Sequence, residues 1–294
     1  MISILGGFGA ATFWAAANLA SSRSSRIIGP SATVAWMMLV GLAVSAPFAL
    51  AAGPMPPITP SLAVWLTASG VGGVIGLLLV YRGLRIGKVG VVLALASTEG
   101  AIAAVFAVVA GESLTVPTAV VLGVIAIGVA TVALAGGSAG EPAQTGEGSE
   151  PYVGRGAERR AAMWGAAAAI AFGFSIYGTA RIGQSLPLAM AVLPARVVGV
   201  AFVFVPMALA GRLRMTRRAA PLVVIVALGE VLGNVVYIIG SRESIAVTAV
   251  LASQFAALAA VAAFVLFHER LSARQRSGFV AIAVGIAALT LVRG

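Results

Sequence analysis

The chain has 294 residues, of which 60% are hydrophobic and 10% are charged, and its mean hydropathy is +1.06. So few polar side chains cannot cover the surface of a soluble globule of this length, and the composition therefore predicts an integral membrane protein. The chain contains no cysteine and a single histidine. That content excludes a disulfide framework, a thiol nucleophile and a zinc cluster, and we expect no cofactor.

The net charge of +10 comes from eighteen arginines and one lysine against nine glutamates. A basic balance can indicate nucleic-acid binding, but here the arginines stand in short gaps between apolar runs, and no basic stretch alternates with aromatic residues. We therefore expect no nucleic-acid partner and interpret the basic residues as determinants of membrane orientation.

Ten apolar segments are long enough to cross a membrane as helices, because about 20 residues rising 1.5 Å each span the roughly 30 Å hydrocarbon core. The first segment is interpreted as a span rather than a cleaved signal peptide, since no basic residues precede its apolar run. The predicted fold class is an all-α integral membrane protein with ten transmembrane helices. They cover residues 1–20, 31–51, 61–81, 89–110, 116–135, 161–180, 187–210, 219–240, 244–267 and 277–292.

One polar stretch without apolar periodicity, residues 136–160, is predicted to be a flexible linker. It separates a first half, residues 1–135, from a second half, residues 161–294. Each half holds five of the predicted spans. Because five is odd, a second copy of the same unit must enter the membrane inverted relative to the first, as in many secondary transporters.

The two halves resemble each other in sequence when one is shifted by 156 positions. The shift places Leu95-Ala96-Ser97 on Leu251-Ala252-Ser253. With one inserted residue, the match continues as Glu112-Ser113-Leu114-Thr115 on Glu269-Arg270-Leu271-Ser272. The paired turns at corresponding helix junctions support two inverted five-helix repeats. Glu112 and Glu269 are predicted to stabilise these turns or the starts of the following helices, not to bind a substrate.

The five-plus-five plan and the turns at 111–115 and 268–272 resemble the EamA-type branch of the drug/metabolite transporter superfamily. The resemblance covers nearly the whole chain outside the linker. It implies a ten-helix transporter, most like bacterial amino-acid exporters, in the inner membrane. Two positions depart from the family's pattern, because Phe172 stands where Trp is usual and Gly100 where Pro is usual.

The distribution of basic residues predicts the orientation. Fifteen of them lie in the gaps after the first, third, fifth, seventh and ninth spans, whereas three lie on the other side. The positive-inside rule puts the richer side in the cytoplasm and both termini outside. The resemblance implies both termini inside, and we follow the charges.

Three ionisable side chains lie well inside the predicted spans: Glu99, Arg196 and Glu230. A charge at the centre of a bilayer costs roughly 2.5 to 3.5 kcal/mol on translocon scales, so each should face the bundle interior or a wet cavity. One interpretation is a structural ion pair between Arg196 and a glutamate. The other is a substrate site at mid-depth, in which Arg196 holds a carboxylate while a glutamate holds an ammonium group or a coupling proton.

Further polar and aromatic residues are candidates for the same site. Asn234 and Tyr237 share a helix face with Glu230, while Gly229 and Gly233 form a face on which another helix can pack closely. A hydrogen-bonded helix contact is the alternative for this stripe. Within the spans, the remaining candidates for substrate contact are Trp14, Tyr177 and Gln254.

Pro194 lies two residues before Arg196 and cannot donate a hydrogen bond to the carbonyl of Met190, so we expect the seventh span to bend near mid-depth. Broken helices at that depth often line substrate sites.

The leading hypothesis is a secondary transporter, not an enzyme, that moves a small organic solute by alternating access. The resemblance implies export, and one buried cation with two buried anions matches a zwitterionic amino acid, with aromatic amino acids among the candidates. The alternatives are a proton-coupled multidrug exporter, another metabolite transporter, an intramembrane enzyme and a structural membrane protein. The expected partners are the solute and the lipid bilayer, with a coupling proton and a monomeric state as further expectations.

Overall fold

The computed structural model describes residues 1–84, 86, 89–136, 155–255, 257–259, 261–262 and 273–293. Every regular element in this part of the chain is a helix. Six helices here are long and apolar enough to cross a membrane. They coincide with the first, second, third, sixth, seventh and eighth predicted spans. The other four predicted spans contain shorter apolar helices, so their crossing of the membrane stays a prediction.

The first half of the chain forms six helices. Prolines occupy the first positions of two of them, where the missing amide N–H costs nothing. Between α1 and α2, Gly29 adopts φ of 88°, a left-handed conformation that reverses the chain and favours glycine. The helices are α1 (Ile2–Ile28), α2 (Pro30–Ala51), α3 (Pro60–Leu84), α4 (Val89–Ala96), α5 (Glu99–Val109) and α6 (Val116–Gly136).

In its described residues, the second half contains seven helices and one π-helical turn. The first of these helices begins at Arg155, inside the stretch predicted as linker, and residues 137–154 of that stretch lie outside the described part. Residues 263–272, which include the turn predicted at 268–272 with His268 and Glu269, also lie outside it. The helices are α7 (Arg155–Ser185), α8 (Leu188–Ala191), α9 (Leu193–Gly199), α10 (Val205–Leu209), α11 (Ala220–Ser241), α12 (Ile245–Ala252) and α13 (Ala273–Arg293).

The seventh predicted span is interrupted as expected from Pro194. Helix α8 ends at Ala191, and α9 begins beyond the junction at Val192. A π-helical turn, Val200–Phe204, then separates α9 from α10. Such turns disturb the regular hydrogen-bond ladder and often accompany functional sites. The span is therefore a chain of short helices, and Arg196 lies in its central piece.

The fourth and ninth predicted spans are also interrupted, which the sequence analysis missed. Helix α4 ends just before Ser97 and Thr98, and α12 ends just before Ser253 and Gln254, positions that the 156-residue shift superposes. At both breaks a hydroxyl bonds the carbonyl three residues earlier. Thr98 Oγ1 donates to Leu95 O at 2.7 Å, and Ser253 Oγ donates to Val250 O at 2.8 Å. Such local bonds compete with the helical ladder and explain the shared break point.

The main helix pairs all join one half of the chain to the other. Helix α1 packs on α11, α3 on α7, α5 on α12, α6 on α13 and α2 on α9. Exchanging each predicted span for its counterpart in the other half reproduces the same set of pairs. The halves therefore share one core, whose buried residues come from both sides of residue 150.

Close helix contacts in this core depend on glycine. The packing face predicted at Gly229 and Gly233 lies against α1, where Gly229 approaches Phe13 O and Gly233 approaches the indole of Trp14. Further along the same pair, a Cβ atom on Gly6 would lie 2.5 Å from the Cα atom of Gly240. Small residues let the two backbones meet where larger ones would separate them.

We therefore expect Gly6→Ala to destabilise the protein by about 1–3 kcal/mol, because the added methyl group would push α1 away from α11. Gly123→Ala is the matched control, since a Cβ atom at this position in α6 meets no atom within 4 Å. The measurement is equilibrium unfolding of the purified full chain in detergent micelles. Equal stability of the two variants would contradict the proposed close crossing.

Candidate functional site

The structure pairs two of the three charges predicted inside the spans. Arg196 lies in α9 and Glu230 in the middle of α11, and the Nη2 and Oε2 atoms are 3.6 Å apart. The Arg196 side chain is 2% exposed and that of Glu230 is 28% exposed. The cation is therefore buried almost completely, while its partner faces a more open space.

Helix α2 also packs against Arg196. A Cβ atom on Gly41 would lie 3.2 Å from the Cδ atom and 3.3 Å from the Nε atom of Arg196, so the absence of a side chain makes room for the arginine. Arg196 Nη1 lies 3.7 Å from the Sδ atom of Met38, a weak acceptor. The buried Nε atom has no hydrogen-bond partner. A guanidinium carries five hydrogen-bond donors, so the hydrogen-bonding capacity of the Arg196 side chain is poorly satisfied.

Asn234 and Tyr237 lie on the Glu230 face of α11, but their polar atoms are committed elsewhere. Asn234 Nδ2 donates to the backbone carbonyl of Glu230 at 2.7 Å. The Tyr237 hydroxyl donates to the carbonyl of Ile176 in α7 at 3.2 Å, and its ring is fully buried. Tyr237 thus makes a hydrogen-bonded contact between helices, whereas Asn234 bonds within its own helix.

Trp14 lies beside Tyr237, and Gln254 directly precedes Phe255, whose ring also contacts Trp14. The rings of Trp14 and Tyr237 are 5.9 Å apart, and the rings of Trp14 and Phe255 are 6.3 Å apart. Trp14 Nε1 and Gln254 Oε1 are buried and have no hydrogen-bond partner among the described residues. A donor and an acceptor are thus left unsatisfied near the break that follows α12. Each such group costs free energy unless a ligand or water pairs with it.

Glu99 opens helix α5 at the break in the fourth span. A carboxylate in the first turn of a helix interacts favourably with the helix dipole. The adjoining Gly100 packs closely on the Ala249 carbonyl and the Ser253 side chain of α12, so the two interrupted helices meet at their breaks. Glu99 is half-buried and within electrostatic range of Glu230.

Tyr177 belongs to a different aromatic group, on the face of α7 that lies against α3 and α5. Its ring centroid lies 5.3 Å from that of Trp65 and 6.1 Å from that of Phe106. Phe174, one turn earlier, contacts both of these rings. Among the eight predicted residues, Arg196 thus pairs with Glu230 and Trp14 contacts Tyr237, whereas Tyr177 contacts the rings of Trp65 and Phe106.

Two cavities open at one end of the bundle, and neither is lined by Glu99, Arg196 or Glu230. This differs from the expected chamber around the three charges. The first cavity measures about 270 Å³ and the second about 260 Å³. Arg181 and Gln184 line both, and the sequence analysis did not select either residue. In the sequence they continue the line of Phe174 and Tyr177 along α7 at spacings of three and four residues.

Glu112 lines the second cavity and caps a helix, as the sequence analysis expected in general terms. The capped helix is α12 in the other half of the chain, however, and not α6, which follows Glu112 in the sequence. Its carboxylate accepts hydrogen bonds from Ser244 Oγ at 2.5 Å, Ile245 N at 3.1 Å and Ala246 N at 3.3 Å. A negative charge at a helix N-terminus is favourable, and here it ties the two halves together.

These observations define a multi-pass membrane protein with interrupted helices and a buried, poorly satisfied cation. Residues 1–134 match the EamA-like transporter family. A solved structure titled "Crystal structure of protein" is 19% identical, has a TM-score of 0.72, and is matched over 99% of this chain and 96% of that chain. At this identity the likeness establishes the fold. No curated protein matches the sequence. The resemblance to the drug/metabolite transporter superfamily is thus supported.

We expect Glu112→Ala to lower the stability of the protein by about 1–3 kcal/mol, because the first amide groups of α12 lose a charged acceptor. A double-mutant cycle with Ser244→Ala should give a coupling energy on the order of 1 kcal/mol, since the two side chains share a hydrogen bond. Both are read from equilibrium unfolding of the full chain.

Thr131→Ala serves as the control for this cycle. Its exposed hydroxyl bonds the carbonyl of Ile127 within its own helix, so its loss should change stability by less than about 0.5 kcal/mol. Additive effects of the Glu112 and Ser244 substitutions would show that the cross-half cap contributes nothing of its own.

Proposed function

We propose that the protein is a secondary transporter that exports small organic solutes, with amino acids, including aromatic ones, as the substrate class. The match of the first half to a transporter family supports the activity. The charges in the spans support the substrate class, because a zwitterion offers a carboxylate to Arg196 and an ammonium group to Glu230 or Glu99.

The observation that carries this proposal is the state of Arg196. Its guanidinium lies in an apolar interior with one carboxylate oxygen at 3.6 Å, a thioether and an unpartnered Nε atom. A purely structural pair would be expected to satisfy its donors, because burying an unsatisfied charge is costly. A substrate carboxylate would supply the missing acceptors, which favours a ligand role.

Alternating access is the proposed mechanism. Two observations support two inverted repeats. Exchanging each predicted span for its counterpart in the other half reproduces the main helix pairs, and the 156-residue shift superposes the two helix breaks. In such transporters the repeats rock about a central site. Interrupted helices allow this motion, because the part of a helix on one side of the break can move while the part on the other side stays in place. The Arg196–Glu230 pair would open as the substrate enters.

Orientation and energy coupling are further parts of the proposal. The bias of basic residues assigns both termini to the outside of a bacterial inner membrane, where Arg181 and the two cavities would also lie. Glu99, half-buried and within electrostatic range of Glu230, is the proposed carrier of a coupling proton. A multidrug exporter is the second candidate function, favoured by the aromatic rings of Trp14, Tyr237 and Phe255.

The test is counterflow of labelled phenylalanine in proteoliposomes that contain the purified protein. We expect rapid exchange, and we expect Arg196→Met to reduce it at least tenfold because the substrate loses a charge-assisted hydrogen bond. Arg212→Met is the matched control, since this arginine is exposed beyond the seventh span. It should leave the exchange rate unchanged.

Two results would contradict the proposal. Normal exchange by Arg196→Met together with lower thermal stability would show that the ion pair is structural. Failure to exchange any amino acid, combined with efflux of a lipophilic cation such as tetraphenylphosphonium, would favour the multidrug exporter.

A further inference from the structure

The last turns of α7 carry a polar and aromatic stripe. Phe174, Tyr177, Arg181 and Gln184 follow one another at spacings of three and four, which places them on one helix face. Tyr177 is buried, Arg181 is half-buried and Gln184 is exposed. The stripe thus begins at the exposed Phe174, passes the buried Tyr177 and ends at the two cavities.

Arg181 is the cation of this stripe, and its guanidinium is open to a ligand. Its Cζ atom lies 5.7 Å from the centroid of the Trp65 ring. Within the part of the chain that the structure describes, Arg181 makes no hydrogen bond or ion pair. Its five donors thus meet no acceptor among the described residues, although the residue lines both cavities.

The other charges around the second cavity are occupied. Arg242 Nε donates to Gly183 O at 3.0 Å, and its Nη2 atom donates to Leu186 O at 3.3 Å. Glu112 caps α12, and Glu243 accepts a hydrogen bond from the backbone N–H of Ser3. Of these four charged groups, Arg181 is the one without a polar partner.

The walls next to Arg181 suit an apolar body. The first cavity is lined by Trp65 and Leu62, and the second by Tyr177, Ala107 and Ile245. Each cavity is slightly smaller than the roughly 300–1,000 Å³ typical of ligand pockets, which favours a small ligand.

We propose that the two cavities around Arg181, the rim site, bind a small organic carboxylate with an aromatic or apolar body. Arg181 holds the carboxylate through charge-assisted hydrogen bonds, with the Gln184 amide as a second donor. The Trp65 and Tyr177 rings face the body of the ligand. The site deepens the proposed function, because a transported amino acid would bind here on its way to or from Arg196. Binding at the rim itself does not require transport.

The probe is 3-phenylpropionate, with 3-phenylpropan-1-ol as its neutral counterpart, titrated calorimetrically into the purified full chain. We expect the carboxylate to bind about tenfold to a hundredfold more tightly than the alcohol. Arg181→Gln should remove that preference and leave binding of the alcohol unchanged. Arg82→Gln should retain the preference, since Arg82 stacks on Trp164 at 5.6 Å in the same way but lines neither cavity.

Arg196→Met separates the rim site from the proposed transport site. Tight binding of 3-phenylpropionate by Arg196→Met, together with its loss in Arg181→Gln, supports the rim site even if counterflow fails in every variant. The reverse pattern, loss in Arg196→Met and retention in Arg181→Gln, overturns it while leaving the transport proposal intact.

A second measurement uses the wild-type chain, so its result does not depend on whether the variants fold. Phenylglyoxal reacts with exposed guanidinium groups, and mass spectrometry locates the adducts. We expect 3-phenylpropionate to slow modification of Arg181 several-fold and to leave that of Arg82 unchanged. Equal rates at Arg181 with and without the probe would overturn the rim site.

Discussion

The absence of water from the membrane interior governs this structure, because every polar group there must find its partner within the protein. The backbone meets this demand by forming helices. Where helices break, side-chain hydroxyls bond the local carbonyls, as Thr98 and Ser253 do. The same constraint applies to the guanidinium of Arg196. It is the buried group with the largest demand for partners, and its surroundings meet only part of that demand.

The interleaving of the two halves follows from the same physics. Lipid is as apolar as the helix surfaces, so helices associate through close packing and polar bonds instead of hydrophobic burial. Glycine contacts between α1 and α11, and the Glu112 cap on α12, are contacts of this kind, and both join one half to the other. Because these contacts cross between the halves, a relative movement of the halves must change them. The proposed alternating access therefore acts on the contacts that hold the fold together.

Two arginines divide the proposed recognition of a substrate between them. Arg181 stands at the end of the bundle, unpaired and beside aromatic rings, whereas Arg196 lies in the interior beside Glu230. An accessible cation with free donors suits rapid capture, since little has to be displaced before a carboxylate binds. A buried cation already paired with a glutamate suits selective binding, because the incoming ligand must replace an existing partner. The aromatic residues around Tyr177 lie next to the first of these sites.

The sequence by itself determined the membrane class, the six long spans and the bend before Arg196, because hydropathy and proline act locally along the chain. It also selected Arg196 and Glu230, since charges inside apolar runs are rare and need partners. Only the tertiary structure decided which partners they have, that Asn234 bonds its own helix, and that Glu112 caps a helix 132 residues away. The tertiary structure alone showed that the cavities lie around Arg181. These features depend on which helices pack together, and contacts between distant segments leave no periodic signal in a single sequence.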